Sequence, residues 1–82
     1  MLQFSLVGYD PKTERLMVET RIPASAAVQA LQVARITTEQ LSGAVGDLPL
    51  DADQALAIAR LIDAPIKPTR FDYFLEVTAP VP

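Results

Sequence analysis

The groups in this chain with the means to do chemistry are nearly all carboxylates. Asp47, Asp51 and Asp53 stand close together, and Asp72 and Glu76 are four positions apart. Three closely spaced aspartates suggest a calcium loop, but calcium takes about six to eight oxygens, and the EF-hand pattern adds a central glycine and a distant bidentate glutamate. Here Ala55 and Leu56 follow where ligands would be wanted. Asp51 and Asp53 instead suit the start of a helix, where negative charge is favoured. Asp72 and Glu76 would share one face of a strand roughly 13 Å apart. Glycosidase carboxyl pairs stand about 5–9.5 Å apart, so this pair reads as a solvated sheet face.

Other reactive chemistry is missing by residue type. The chain has no histidine and no cysteine, which removes disulfides, thiolate nucleophiles, His–carboxylate relays and ordinary zinc sites. Ser5, Ser25 and Ser42 therefore have no imidazole base. Lys12 and Lys67 would have to serve instead, and neither lies in an apolar segment that could depress its pKa. Gly43 and Gly46 have the spacing of a helix stop and lack the lysine-serine end of a phosphate loop. The expectation is a protein that is not an enzyme, with no metal and no cofactor.

Composition narrows the class further. The chain has 82 residues, half of them hydrophobic, and a net charge of −3 from seven basic and ten acidic side chains. That length suits a single domain spanning 1–82. Its hydrophobic content is far above that of disordered chains. The cations Lys12, Arg15, Arg21, Arg35, Arg60, Lys67 and Arg70 are scattered singly, whereas nucleic-acid binding needs phosphates neutralised by clustered Lys and Arg. No nucleic-acid partner is expected. Nor is a membrane, since no apolar run approaches the ~18–20 residues of a span. The opening Met1–Leu6 stretch lacks a basic leader and alternates like a strand, so a cytoplasmic protein is expected.

The elements follow from periodicity. Leu2, Phe4 and Leu6 alternate with polar residues as in a half-buried strand. Asp10-Pro11 opens a turn, since proline presets the φ of its second position. A second strand follows, with Leu16, Val18, Thr20 and Ile22 facing one way and Met17, Glu19 and Arg21 the other. After Pro23 an alanine-rich helix begins, with Ser25 as its cap and Val28, Leu31 and Ala34 or Arg35 on one face. Thr37 to Gln40 reads as a capping box opening a brief helical turn, which Gly43 and Gly46 end. Asp51 and Gln54 box the next helix, whose Ala55, Ile58, Ala59 and Ile62 repeat at helical spacing. Asp63-Ala64-Pro65 ends it, because the residue before proline avoids the α region. Phe71–Thr78 is the strongest strand by aromatic and β-branched content.

The expected architecture is α+β: a β-β-α-α-β domain whose three-stranded antiparallel or mixed sheet has helices on one face. Its core is Phe4, Leu6, Val18, Leu31, Leu56, Ile58, Ala59, Ile62, Tyr73 and Leu75.

Several pieces in order carry a resemblance. Tyr9-Asp10-Pro11-Lys12-Thr13 leads into Leu16-Met17-Val18-Glu19. Leu48-Pro49-Leu50 and Asp53-Gln54-Ala55 follow, and Phe71-Asp72-Tyr73-Phe74-Leu75-Glu76 closes the series. This resembles a family of small bacterial proteins known only as a domain of unknown function. Its members pair a Tyr-Asp-x-x-Thr hairpin with a closing Tyr-Asp-Tyr-Phe-Leu-Glu strand. Here Leu48 stands in place of an aromatic and Phe71 in place of a tyrosine. The resemblance implies a fold and no activity.

Function is therefore expected to lie in contacts. The first expectation is a non-catalytic protein-interaction module, immunity-protein-like or regulatory, whose negative charge steers a partner. If Phe4, Val18 and Tyr73 point inward, Val7, Tyr9, Met17 and Phe74 line the opposite sheet face. That face is the expected interface, with a protein partner or in a homodimer. The alternative is a small-ligand-binding domain with a pocket between the long helix and the sheet, lined by Arg70 and Tyr73.

Overall fold

The computed structural model describes residues 3–36 and 46–78. Two strands, β1 (Gln3–Tyr9) and β2 (Leu16–Ile22), precede helix α1 (Ala24–Val33). Then come β3 (Gly46–Leu50), helix α2 (Ala52–Leu61) and β4 (Asp72–Thr78). The protein is α+β, with a four-stranded sheet in the order β2-β1-β4-β3, antiparallel throughout. The expected three-stranded β-β-α-α-β order is corrected by the extra strand, β3, between the helices.

β3 escapes a propensity reading because Gly, Asp and Pro are depleted in strands. Its short sequence, Gly-Asp-Leu-Pro-Leu, is tolerated because β3 is an edge strand, where a proline need not donate to a neighbour. Its signal is the alternation of half-buried Leu48 and Leu50 with exposed Asp47 and Pro49. Gly46, expected to end a helical turn, is its first residue. The capping box at Thr37–Gln40 and the stop at Gly43 lie outside the described residues.

The hairpin joining β1 to β2 is organised by Asp10. Its carboxylate oxygen Oδ1 accepts from the backbone N–H of Lys12 at 2.8 Å and of Thr13 at 3.2 Å. The Asp10 carbonyl accepts from Glu14 N–H at 2.8 Å, closing a five-residue turn over the Asp10-Pro11 start. Glu14 takes a left-handed φ of 58° to return the chain to β2, and the register shifts at Gly8/Tyr9.

Both described helices end the same way. Ile36 N–H reaches Leu31 O and Arg35 N–H reaches Gln32 O at the end of α1. Ala64 N–H reaches Ala59 O and Asp63 N–H reaches Arg60 O at the end of α2. These are Schellman closures, with Arg35 (φ 57°) and Asp63 (φ 54°) where glycine is usual. The chain therefore leaves α2 before Pro65 acts on it. At its start, the expected box is present: Asp51 accepts from Gln54 N–H at 2.7 Å, and Gln54 Oε1 accepts from Asp51 N–H at 2.9 Å. Gln54 Nε2 also donates to Ala34 O at 3.1 Å, tying the start of α2 to the end of α1. The N-cap of α1 is Pro23 rather than Ser25, with no side-chain bond.

The core lies between the helices and one sheet face. Leu6, Ile22, Tyr73, Leu75 and Val77 from the sheet meet Ala26, Ala30, Ala34, Ala55, Ile58 and Ala59. Phe4, Val18, Leu31 and Ile62 pack against this cluster but remain half-buried, and Leu56 lies outside it. The buried stripe of α1 is alanine at every fourth residue, and Val28, placed by spacing on one face with Leu31, is 66% exposed. Tyr73 crosses β1 at Gly8, its partner in the sheet. A β-carbon on Gly8 would stand 2.8 Å from the Tyr73 ring, so glycine makes room for the aromatic there.

Candidate functional site

Both described helices pack on the Leu6–Leu75 face of the sheet. The opposite face is therefore where the strands present chemistry. Cross-strand pairing sets two rows of side chains on it. One runs Glu19, Val7, Phe74, Pro49; the next runs Arg21, Ser5, Glu76, Asp47. Tyr9 extends the first group toward the hairpin, opposite Asp72. Its ring meets Phe74 edge-on, with centroids 5.7 Å apart and planes at 74°.

The four residues expected at an interface all come from β1, β2 and β4, but they differ in access. Val7 is fully buried and offers no surface. Tyr9 and Phe74 are half-buried, whereas Met17 is 52% exposed beside Leu16 at 47%. The usable apolar surface thus lies toward the hairpin end, around the aromatic pair and the start of β2.

Carboxylates surround that surface. Asp47 and Glu76 are directly opposed across β3 and β4, an arrangement of like charges that opposes pairing. The Glu76 carboxyl titrates above the ordinary glutamate range, first because it is partly buried and then because Asp47 and Glu19 repel its charge. The Tyr9 hydroxyl is also pushed up, by desolvation first and then by Asp47, Glu76 and Glu19. This part of the face sits in a negative potential.

The aspartates singled out by spacing separate in space. Asp47 belongs to β3, Asp51 caps α2 and Asp53 lies in its first turn. Among the described residues, no group of three or more acidic side chains is placed to hold a metal ion. Sequence spacing missed the acids that sheet pairing brings face to face, Asp47 and Glu76, with Glu19 near enough to repel the Glu76 charge. A period-2 reading of Gly46–Leu50 was the available clue.

The residues expected in a pocket take different roles. Tyr73 is only 3% exposed; its hydroxyl accepts from Lys67 N–H at 3.0 Å, and Phe71 meets its ring edge-on at 6.3 Å. Arg70 is exposed in the turn before β4. A shallow cavity of about 330 Å³ beside Tyr73 is bordered by Leu50, Asp51, Pro68 and Phe71 rather than by Arg70. A second cavity, of about 430 Å³, opens at the hairpin end of the sheet between Tyr9, Asp10, Glu14, Asp47, Asp72 and Phe74. No described helix is long and apolar enough to cross a membrane.

No family model matches the chain, and no curated protein or solved structure matches it either.

Proposed function

We propose that the protein is a non-catalytic interaction module that works through protein contacts on the sheet face turned away from its helices. The observation that carries this reading is the exposure of Leu16 and Met17 at the start of an edge strand, beside the half-buried Tyr9 and Phe74. Apolar side chains grouped on neighbouring strands and rimmed by charge have the anatomy of a contact surface. β2 adds a strand edge that pairs with no other strand among the described residues, a ready template for another chain. A chain without histidine or cysteine also has few routes to catalysis.

The small-ligand reading draws less support. Its central residue, Tyr73, has its ring in the core and its hydroxyl engaged with Lys67. Tyr73 serves packing first.

Light scattering after gel filtration, with stoichiometric capture from native lysate, tests the contact role. The expected result is either a mass of two 8.9 kDa chains or one protein partner at stoichiometric amount. Either should be lost in a Met17→Asp, Phe74→Asp double variant that still melts cooperatively. A monomer that captures nothing overturns the reading, and an unchanged assembly in the double variant overturns this face.

A further inference from the structure

The cavity at the hairpin end of the sheet has a specific chemistry. Two aromatic side chains, Tyr9 and Phe74, share its wall with four carboxylates, Asp10, Glu14, Asp47 and Asp72, and among the described residues no lysine or arginine lines it. Rings attract a cation through their electron-rich faces, and the attraction grows when water is displaced. Carboxylates add charge-assisted hydrogen bonds, which a planar guanidinium accommodates two at a time.

We propose that this cavity is the docking point for a basic protein partner, which inserts an arginine or lysine side chain between the Tyr9–Phe74 pair and the surrounding carboxylates. The proposal rests on the interaction role argued above and names the chemistry of the partner. Charge complementarity selects it over a second copy of the chain. A two-fold contact through this cavity would set its carboxylates against their own copies, and opposed like charges are costly at interfaces. The site is also partly preorganised. The Asp10 carboxylate is held by Lys12 N–H and Thr13 N–H through one oxygen, Oδ1. The aromatic pair is fixed in edge-to-face contact, and the sheet register sets Asp72 opposite Tyr9. The Tyr9 hydroxyl is pushed up first by desolvation and then by repulsion from nearby carboxylates, of which Asp47 belongs to this wall. Leu16 and Met17, exposed on β2, extend the surface for apolar parts of the same partner.

The test titrates the isotopically labelled full chain with an acetylated, amidated Gly-Arg-Gly-Arg-Gly peptide, with its glutamate counterpart, and with argininamide. Amide shifts at Tyr9, Asp72 and Phe74 are expected with the arginine peptide and not with the glutamate peptide. Affinity should fall roughly tenfold between about 0.05 and about 0.5 M NaCl, as screening shortens the reach of the carboxylates. It should also fall at least about fivefold in an Asp47→Asn, Asp72→Asn variant and in Tyr9→Leu, and hold in Asp63→Asn, whose charge lies elsewhere. Amide spectra of the free variants establish that each is folded. Shifts absent from this wall, or an affinity unchanged in Asp47→Asn, Asp72→Asn, overturn the proposal. So does argininamide binding as tightly as the peptide, which would make the site one for a small cation. A chain that self-associates but ignores the peptide loses this site and keeps its interaction role. One that stays monomeric, captures no partner and ignores the peptide loses both.

Discussion

Leu75 and Glu76 are adjacent on β4 and live in opposite environments. Leu75 is fully buried among Leu6, Ile58 and Val77 in the core cluster, while Glu76 faces Ser5 and Asp47 on the other side of the same sheet. On the helix side, every strand contributes side chains that gain by leaving water, and no buried polar side-chain atom lacks a partner among the described residues. On the far side, Asp47 and Glu76 oppose each other, and Glu19 adds to the repulsion. One face is built for stability, whereas the other retains groups that work against it. Departures from stability of that kind are expected where a surface serves contact.

Paired substitutions on β4 probe that contrast most strongly. Leu75→Ala should cost about 2–5 kcal/mol, the range for emptying a fully buried leucine site. Against total stabilities of roughly 5–15 kcal/mol for native proteins, that leaves a chain close to unfolding. Phe74→Ala, one residue away, should cost distinctly less, because Phe74 is half-buried and belongs to the outer face. Chemical denaturation of both variants measures the gap. Equal costs would mean that the outer face is as much a core as the inner one.

Gly8→Ala tests how tightly the helix-side face is fitted, with an expected loss of about 1–3 kcal/mol as for other overpacked positions. The added methyl would meet the Tyr73 ring at 2.8 Å, and that ring is pinned by the Lys67 N–H bond to its hydroxyl. Tyr73→Leu in the Gly8→Ala background should recover part of the loss, since it removes the ring that clashes. Additive costs in the double variant would show that the two sites are uncoupled.

Much of this fold is legible in the sequence, for physical reasons specific to each element. The box at Asp51 and Gln54 is local, so two residues and their spacing determine the start of α2. The hairpin strands announce themselves by alternation, and so does β4. α1 is harder to read, because its buried stripe of Ala26, Ala30 and Ala34 carries little hydrophobic contrast. Larger Val28 draws the eye to the wrong face. β3 is hidden because its residue types argue against a strand, and only its edge position permits them. The outer face was legible as a face: alternation puts Val7, Tyr9, Met17 and Phe74 opposite the core. That Val7 is closed to solvent and that Asp47 approaches Glu76 depend on sheet register, which no local pattern specifies.

The smallest expected effect sharpens the comparison through its sign. Glu76 titrates above its ordinary range in the folded protein, so the folded state holds a proton more tightly than the unfolded chain does. The native state then binds more protons in the window between the unfolded and the raised folded pKa, and stability must fall as pH rises through it. Below the ordinary glutamate range Glu76 is protonated in both states, and its unfavourable contribution disappears. Glu76→Gln should therefore stabilise the protein at neutral pH by a few tenths of a kcal/mol, the scale of opposed cross-strand charges. The gain should vanish on acidification. Leu75→Ala, whose cost is one of packing, should show no such dependence. Thermal melts of wild type and Glu76→Gln from neutral to acidic pH provide the measurement. A gain that persists in acid would assign the effect to side-chain packing, and a loss at neutral pH would mean that the Glu76 charge supports the sheet rather than straining it.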